Sequence, residues 1–143
     1  MSDQNGYYFE DLAEGMSASY AKTVTEADII LFAGISGDTN PVHLNEEFAA
    51  ATMFKGRIAH GMLSASFIST VFGTKLPGPG CIYMSQSLRF KAPVRAGDTV
   101  TAKVTIAELK PEKKQARFEC VCLVNGKAVL DGEALILVPS RPA

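Results

Sequence analysis

The sequence predicts an α+β fold, a single domain in which a curved antiparallel sheet wraps around a buried helix. Three observations lead there. Residues 60–76, "HGMLSASFISTVFGTKL", carry no charge between His60 and Lys75, and a helix that is apolar or small on every side is buried on every side. Beyond residue 80 the pattern changes to alternation of apolar and polar residues, the period of strands. With 143 residues, 47% of them hydrophobic and 20% charged, the chain suits one domain with its own core, read here as spanning residues 1–143.

The elements follow in order. "MSASYAKTV", 16–24, is a weakly patterned first strand. Thr25 has the character of a helix N-cap, with Asp28 where a capping box places its acid. The "EADIILFAGISG" that follows spaces Ala27, Ile30, Leu31 and Ile35 as one helical face, and Gly37 is its stop. A short helix, "NEEFAAAT", comes before the long apolar one. In that helix Leu63, Phe67 and Val71 form one i, i+4 row, and Ser64, Ile68 and Phe72 form another. It ends at "PGPG", where the prolines lack donors and the glycines permit tight turns. Strands are expected at 81–90, 99–109, 115–124 and 127–138. In the second, Val100, Ala102, Val104 and Ile106 share a face; in the third, Ala116, Phe118, Cys120 and Cys122 do. Asn125-Gly126 is a two-residue hairpin signal. A buried helix followed by antiparallel strands is satisfied by the hot-dog architecture, and its exposed edge strand needs a partner, which a dimer would supply.

Composition excludes several functions. The net charge is −1, with no basic stripe for nucleic acid and no block of like charge. No apolar run reaches the ~18 residues of a membrane span. The N-terminal "MSDQNGYYFEDL" has neither a basic n-region nor an apolar h-region, so no signal peptide is read there. The three cysteines, Cys81, Cys120 and Cys122, are an odd number suited to a reducing compartment. The expected location is therefore cytoplasmic. Only two histidines occur and no Cys/His cluster has zinc-like spacing, so no metal is expected.

One stretch does not fit a structural role so easily. "GDTNPVHLNEEF", 37–48, places Asp38 and His43 five positions apart around Asn40-Pro41. In a straight helix such positions diverge by about 140°, and in a strand they face opposite sides. Asn-Pro initiates turns, and a turn would let the carboxylate and the imidazole converge on one water molecule. By residue type alone, Asp38 and Asn40 serve equally well as caps or Asx turns, and His43 as a solvated loop residue.

These residues carry a resemblance. "FAGISGDTNPVHLNEEFA", 32–49, resembles the signature of the MaoC-like (R)-specific enoyl-CoA hydratases. "IAHGMLSASFIS", 58–69, and "YMSQSLRFKAPVRAGDTVTAKV", 83–104, are similar to that family in the same order. The resemblance implies a hot-dog homodimer with its acyl tunnel near the subunit interface. It implies reversible addition of water to a trans-2-enoyl-CoA, giving an (R)-3-hydroxyacyl-CoA, with Asp38 and His43 as the catalytic pair. Coenzyme A is then part of the substrate, and no separate cofactor is expected. The oxyanion donor is expected to be the backbone N–H of Gly61, at the start of the buried helix, where orphan donors and the dipole converge. Glycine there lets a substrate approach closely.

Asn40 is expected to hold the loop's shape and Ser69 to support it from below. Ile68 and Phe72, on one helical row, are expected to line the acyl pocket, the bulk of Phe72 favouring short chains. His60 reads as a structural hydrogen-bonding neighbour. Lys55, Arg57, Arg89, Lys91 and Arg95 are the cations available for the phosphates of coenzyme A. Two other readings share the fold: an acyl-CoA thioesterase, directing water to the thioester carbonyl, and a non-catalytic acyl-CoA-binding module.

Overall fold

A computed structural model describes residues 5–143, leaving the first four residues of the polar N-terminal stretch outside the described part. The chain enters through a short 3-10 turn, Phe9–Asp11. It then forms the edge strand β1, Ser17–Thr23, and helix α1, Glu26–Ser36. The capping box is present: the Thr25 hydroxyl accepts from the Asp28 N–H at 3.1 Å and the Asp28 carboxylate from the Thr25 N–H at 2.9 Å. Gly37 ends the helix in the left-handed region, φ 78°, where glycine alone carries no steric penalty.

The face of α1 turned to the core is not the expected one. Ile29 and Ala33 are buried, whereas Ile30, Leu31 and Ile35 are 56%, 64% and 81% exposed. The row Ile29–Phe32–Ala33 packs inward, with the Phe32 ring 4.9 Å from that of His60. The helix therefore has two apolar rows, and spacing alone does not say which one the rest of the chain covers.

Two short helices follow, α2 at Pro41–Leu44 and α3 at Glu46–Ala50. Helix α4, Gly61–Thr74, is the central one. Its Ile68 and Val71 are fully buried and Phe72 nearly so. Side chains of this kind are each worth roughly 1.5–3 kcal/mol when fully buried. The helix is not enclosed on all sides, however. Met62, Ser66, Ser69 and Gly73 form an exposed stripe, because within one chain the sheet wraps only part of the circumference.

The sheet is antiparallel. Strands β2, Ile82–Gln86, and β3, Arg89–Phe90, replace the single strand expected at 81–90. The break at Ser87-Leu88 has a local cause: the Ser87 N–H donates to Glu133 O at 2.8 Å, and the loop crosses so close to Gly132 that a Cβ there would lie 1.8 Å from Ser87 O. Strands β4, Thr99–Lys110, β5, Gln115–Val124, and β6, Lys127–Leu137, follow. The order is β1-β4-β5-β6-β2, with β3 on β6. Asn125 and Gly126, both at positive φ (51° and 78°), make the two-residue hairpin. All four residues of each predicted inward face on β4 and β5 are buried. With Leu130 and Ile136 of β6 they pack on α4 as one core, the curved sheet around a helix that the patterning predicts.

Candidate active site

The loop 37–40 and α2 are built by their own sequence. The Asn40 side chain accepts from the Val42 N–H at 3.1 Å, and Pro41 takes the first helical position, where its missing donor costs nothing. The gap between Asp38 and His43 is thus not an irregular turn throughout. It is a capped single helical turn, and that turn swings His43 inward to 8% exposure.

Three side chains meet there. One ligand-capable atom of each of Asp38, His43 and His60 lies within 4.8 Å of the other two. The His43 Nδ1 is 2.8 Å from Ile58 O and the His60 Nε2 is 2.9 Å from Asp38 O. A carbonyl only accepts, so each of these nitrogens carries the hydrogen. The lone pairs are left on His43 Nε2 and His60 Nδ1. Asp38 is exposed, and its Oδ1 accepts from the Asn40 N–H at 3.3 Å. The donor set suits a small hydrogen-bonding molecule better than a cation. The two imidazoles are stacked at 3.8 Å with 27° between their planes, so their in-plane lone pairs do not aim at one point.

A cavity of about 470 Å³ opens beside them, lined by Asp38, His43, His60 and Gly61. Its apolar walls include Met53, Phe54, Met62, Phe90, Val129 and Leu130. Gly61 is the first residue of α4, so its N–H is one of the orphan donors at the helix start. The structure shows a second reason for glycine beside the expected one. A Cβ at Gly61 would lie 2.6 Å from carbons of the Phe90 ring, so a neighbouring side chain already excludes it.

Three expected site residues lie elsewhere. Ser69 is on the exposed stripe of α4, and no hydrogen bond links its side chain to the loop among the described residues. Eight positions from Gly61 is about 80° around the helix, enough to turn it outward. Ile68 and Phe72 do not line the cavity. Phe72 is locked edge-on against Phe118 and Tyr83, at 4.9 Å and 5.1 Å, and is core. The walls of this cavity come from the segment after α3, from the start of α4, from β3 and the segment that follows it, and from β6, too far apart in sequence for periodicity to connect them. Phe90 and the buried polar face of His60 are the parts that reading by residue type missed.

The candidate cations separate by what already holds them. Arg57 bridges Glu26 and Glu46, the latter at 3.2 Å. The Arg95 guanidinium donates to the carbonyls of Phe54 and Arg57, stapling the segment before α4. Lys91 pairs with Asp131 at 2.5 Å and also lines the cavity. Lys55 and Arg89 have no ion pair among the described residues.

A family model described as a MaoC-like domain matches residues 10–127. The chain is 64% identical to an (R)-specific enoyl-CoA hydratase of Rhodospirillum rubrum, covering 94% of each chain. It is 54% identical to a 3-hydroxybutyryl-CoA dehydratase of Methylorubrum extorquens, covering 94% of this chain and 85% of that one. Among solved structures it superposes on an unliganded R-hydratase of Pseudomonas aeruginosa with TM-score 0.89 and 44% identity, over 95% of this chain and 88% of that one. An (R)-hydratase of Aeromonas caviae involved in PHA biosynthesis gives TM-score 0.88 and 41% identity, over 91% and 99%.

Proposed function

The chain belongs to the MaoC-like domain family, and from that premise we propose that it is a hydro-lyase, an (R)-specific enoyl-CoA hydratase. It adds water to short-chain trans-2-enoyl-CoA and runs the reverse dehydration of (R)-3-hydroxyacyl-CoA. The observation that carries this is the convergence of the Asp38 carboxylate and the His43 imidazole at a cavity whose opposite wall is the start of α4.

The hydrogen-bond inventory suggests how the water is held. Ionised Asp38 and His43 Nε2 are both acceptors, so a water between them donates both protons and keeps its lone pairs free. One group takes a proton as the oxygen bonds to C3. The electrons of the double bond move onto the thioester oxygen, which the Gly61 N–H stabilises. A proton then returns to C2 from the same side. Positioned acid–base groups contribute about 10²–10⁴-fold, and one oxyanion donor about 2.7–4 kcal/mol. These steps use protein groups alone, with coenzyme A as part of the substrate. Of the five cations Lys91 lines the cavity, and Lys55 and Arg89, next in sequence to its walls Phe54 and Phe90, are without an ion pair among the described residues and so free to meet its phosphates.

The working unit in this reading is a homodimer. Ile82, Tyr83 and Met84 on the edge strand β2 are 54%, 39% and 50% exposed, and a second copy would cover them together with the open stripe of α4. The three free cysteines accord with a cytoplasmic setting, and no helix among the described residues is long and apolar enough to cross a membrane. Supply of hydroxyacyl precursors for polyhydroxyalkanoate, or short-chain acyl-CoA metabolism, would suit the activity.

A series of trans-2-enoyl-CoAs with chiral analysis of the product tests the proposal, run beside Asp38→Asn and His43→Ala. Loss of the enone absorbance without free thiol is expected, with (R) product and at least a 10²-fold loss in each variant. Release of thiol would instead mark a thioesterase, and unchanged turnover in both variants would remove the pair from the mechanism. Light scattering at working concentration reads the dimer.

A further inference from the structure

The loop that carries Asp38 is held almost entirely by itself. Its bonds are Gly37 N–H to Ala33 O, Thr39 N–H to Gly37 O, Asp38 N–H to the Ser36 hydroxyl, Asn40 N–H to the Asp38 carboxylate, Val42 N–H to the Asn40 side-chain oxygen and His43 N–H to Asn40 O. Each spans four residues or fewer. Residues 37–40 are exposed throughout, so water competes for every one of these bonds. Among the described residues, one hydrogen bond reaches this loop from beyond the adjoining helices α1 and α2: the His60 Nε2–H on Asp38 O, at 2.9 Å across 22 residues.

His60 has two further contacts with the same machinery. Its ring, 2% exposed, is stacked on that of His43 at 3.8 Å. It is also the N-cap residue of α4, immediately before Gly61, and caps with no side-chain hydrogen bond of its own. One residue therefore grips the backbone of the acid and the ring of the imidazole through its side chain and leads through its backbone into the oxyanion donor. We propose that His60 is a positioning residue that holds Asp38 and His43 in register with the Gly61 amide. It touches no reacting atom.

This inference rests on the assignment of Asp38 and His43 as the reacting pair. The hydrogen bond fixes the height of the loop, and the stack fixes the plane of the His43 imidazole. A misplacement of about 1 Å at a reacting group costs on the order of 10²-fold in rate. The remaining His60 nitrogen, Nδ1, is buried and has no partner in the protein; neither has the Ser64 hydroxyl. Ser64 lies four positions further on, on the same side of the helix.

His60→Phe keeps a flat ring for the stack but has no donor for Asp38 O. His60→Gln keeps a side-chain N–H at the reach of Nε2 without the ring. With crotonyl-CoA, His60→Phe is expected to lower kcat about 10²-fold while KM stays within about threefold. His60→Gln is expected to recover at least tenfold of that loss. Amide exchange in the peptide spanning residues 33–44 should accelerate in His60→Phe and return toward wild type in His60→Gln. Equal kcat in His60→Phe and wild type, or a loss in step with the unfolded fraction read by circular dichroism, overturns the proposal; so does a His60→Gln no better than His60→Phe. Asp38→Asn separates the two levels. If it is inactive while His60→Phe is fully active, only the role of His60 falls; if it is active, the assignment of the pair falls and this inference with it.

Discussion

Replacing Gly61 by alanine tests the geometry at the start of α4 most directly. The added methyl would lie 2.6 Å from two carbons of the Phe90 ring, where carbon atoms normally rest about 3.5–4.0 Å apart. The ring must therefore retreat by about 1 Å. Overpacking costs about 1–3 kcal/mol. Phe90 is 55% exposed and sits on a strand of two residues, so its ring can yield and the stability cost should fall near 1 kcal/mol, a Tm shift of roughly 2–4 °C. Activity is more sensitive, because the ring and the amide bound the same cavity. Losing the alignment of one oxyanion donor costs about 2.7–4 kcal/mol, or 10²–10³ in kcat. Gly61→Ala is therefore expected to lose about 10²-fold in crotonyl-CoA hydration, followed by the enone absorbance, while remaining folded. Adding Phe90→Ala removes the obstruction and should restore at least tenfold over Gly61→Ala alone. If the double variant is no better than the single one, the glycine is needed for the substrate itself. A fully active Gly61→Ala would remove the steric argument altogether.

Two further outcomes follow from the electrostatics. The Lys22 ammonium, 2.5 Å from its carboxylate, holds Asp28 below its usual titration range, with help from the Thr25 N–H. The sign is that of a depressed acid: the stabilisation is complete above the unfolded pKa near 3.8 and is lost as pH falls through the lower folded value. Asp28→Asn should therefore lower stability at neutral pH by up to about 1 kcal/mol, and denaturant titrations should show the difference closing as pH falls below 3.8. Burial pushes the Cys120 thiol up to about 11 and that of Cys122 up to about 12, the latter also by the neighbouring Cys120. Neither should react with a thiol reagent at pH 8 until the protein unfolds; rapid labelling of both in the native state would contradict the packing of β5 beneath α4.

The candidate site was partly legible before the fold. Asp38 and His43 were proposed from a short motif through its family resemblance, since capping and turn chemistry account equally well for their residue types, and Gly61 from its place at the start of α4. Ser69, Ile68 and Phe72 do not line the cavity of the single chain, because a helical row specifies an angle around an axis without saying what stands at that angle. The same indeterminacy reversed the apolar face of α1. His60 was read as a structural hydrogen-bonding neighbour without its partners, since the carbonyl it grips and the ring it stacks on come from chain 22 and 17 positions earlier.

By itself the sequence determined what depends on neighbours along the chain: the capping box at Thr25, the left-handed stop at Gly37, the Asn125-Gly126 hairpin, and the alternating inward faces of β4 and β5. These are set by backbone torsions and by periods of two and 3.6 residues, which a few consecutive side chains suffice to specify. Tertiary structure alone decided which row of α1 and α4 is covered, where the strand at 81–90 breaks, that Phe90 fills the space above Gly61, and that one buried imidazole fastens the loop carrying Asp38. Those outcomes come from wrapping the sheet around α4, which brings distant segments into van der Waals and hydrogen-bond contact that no local pattern records.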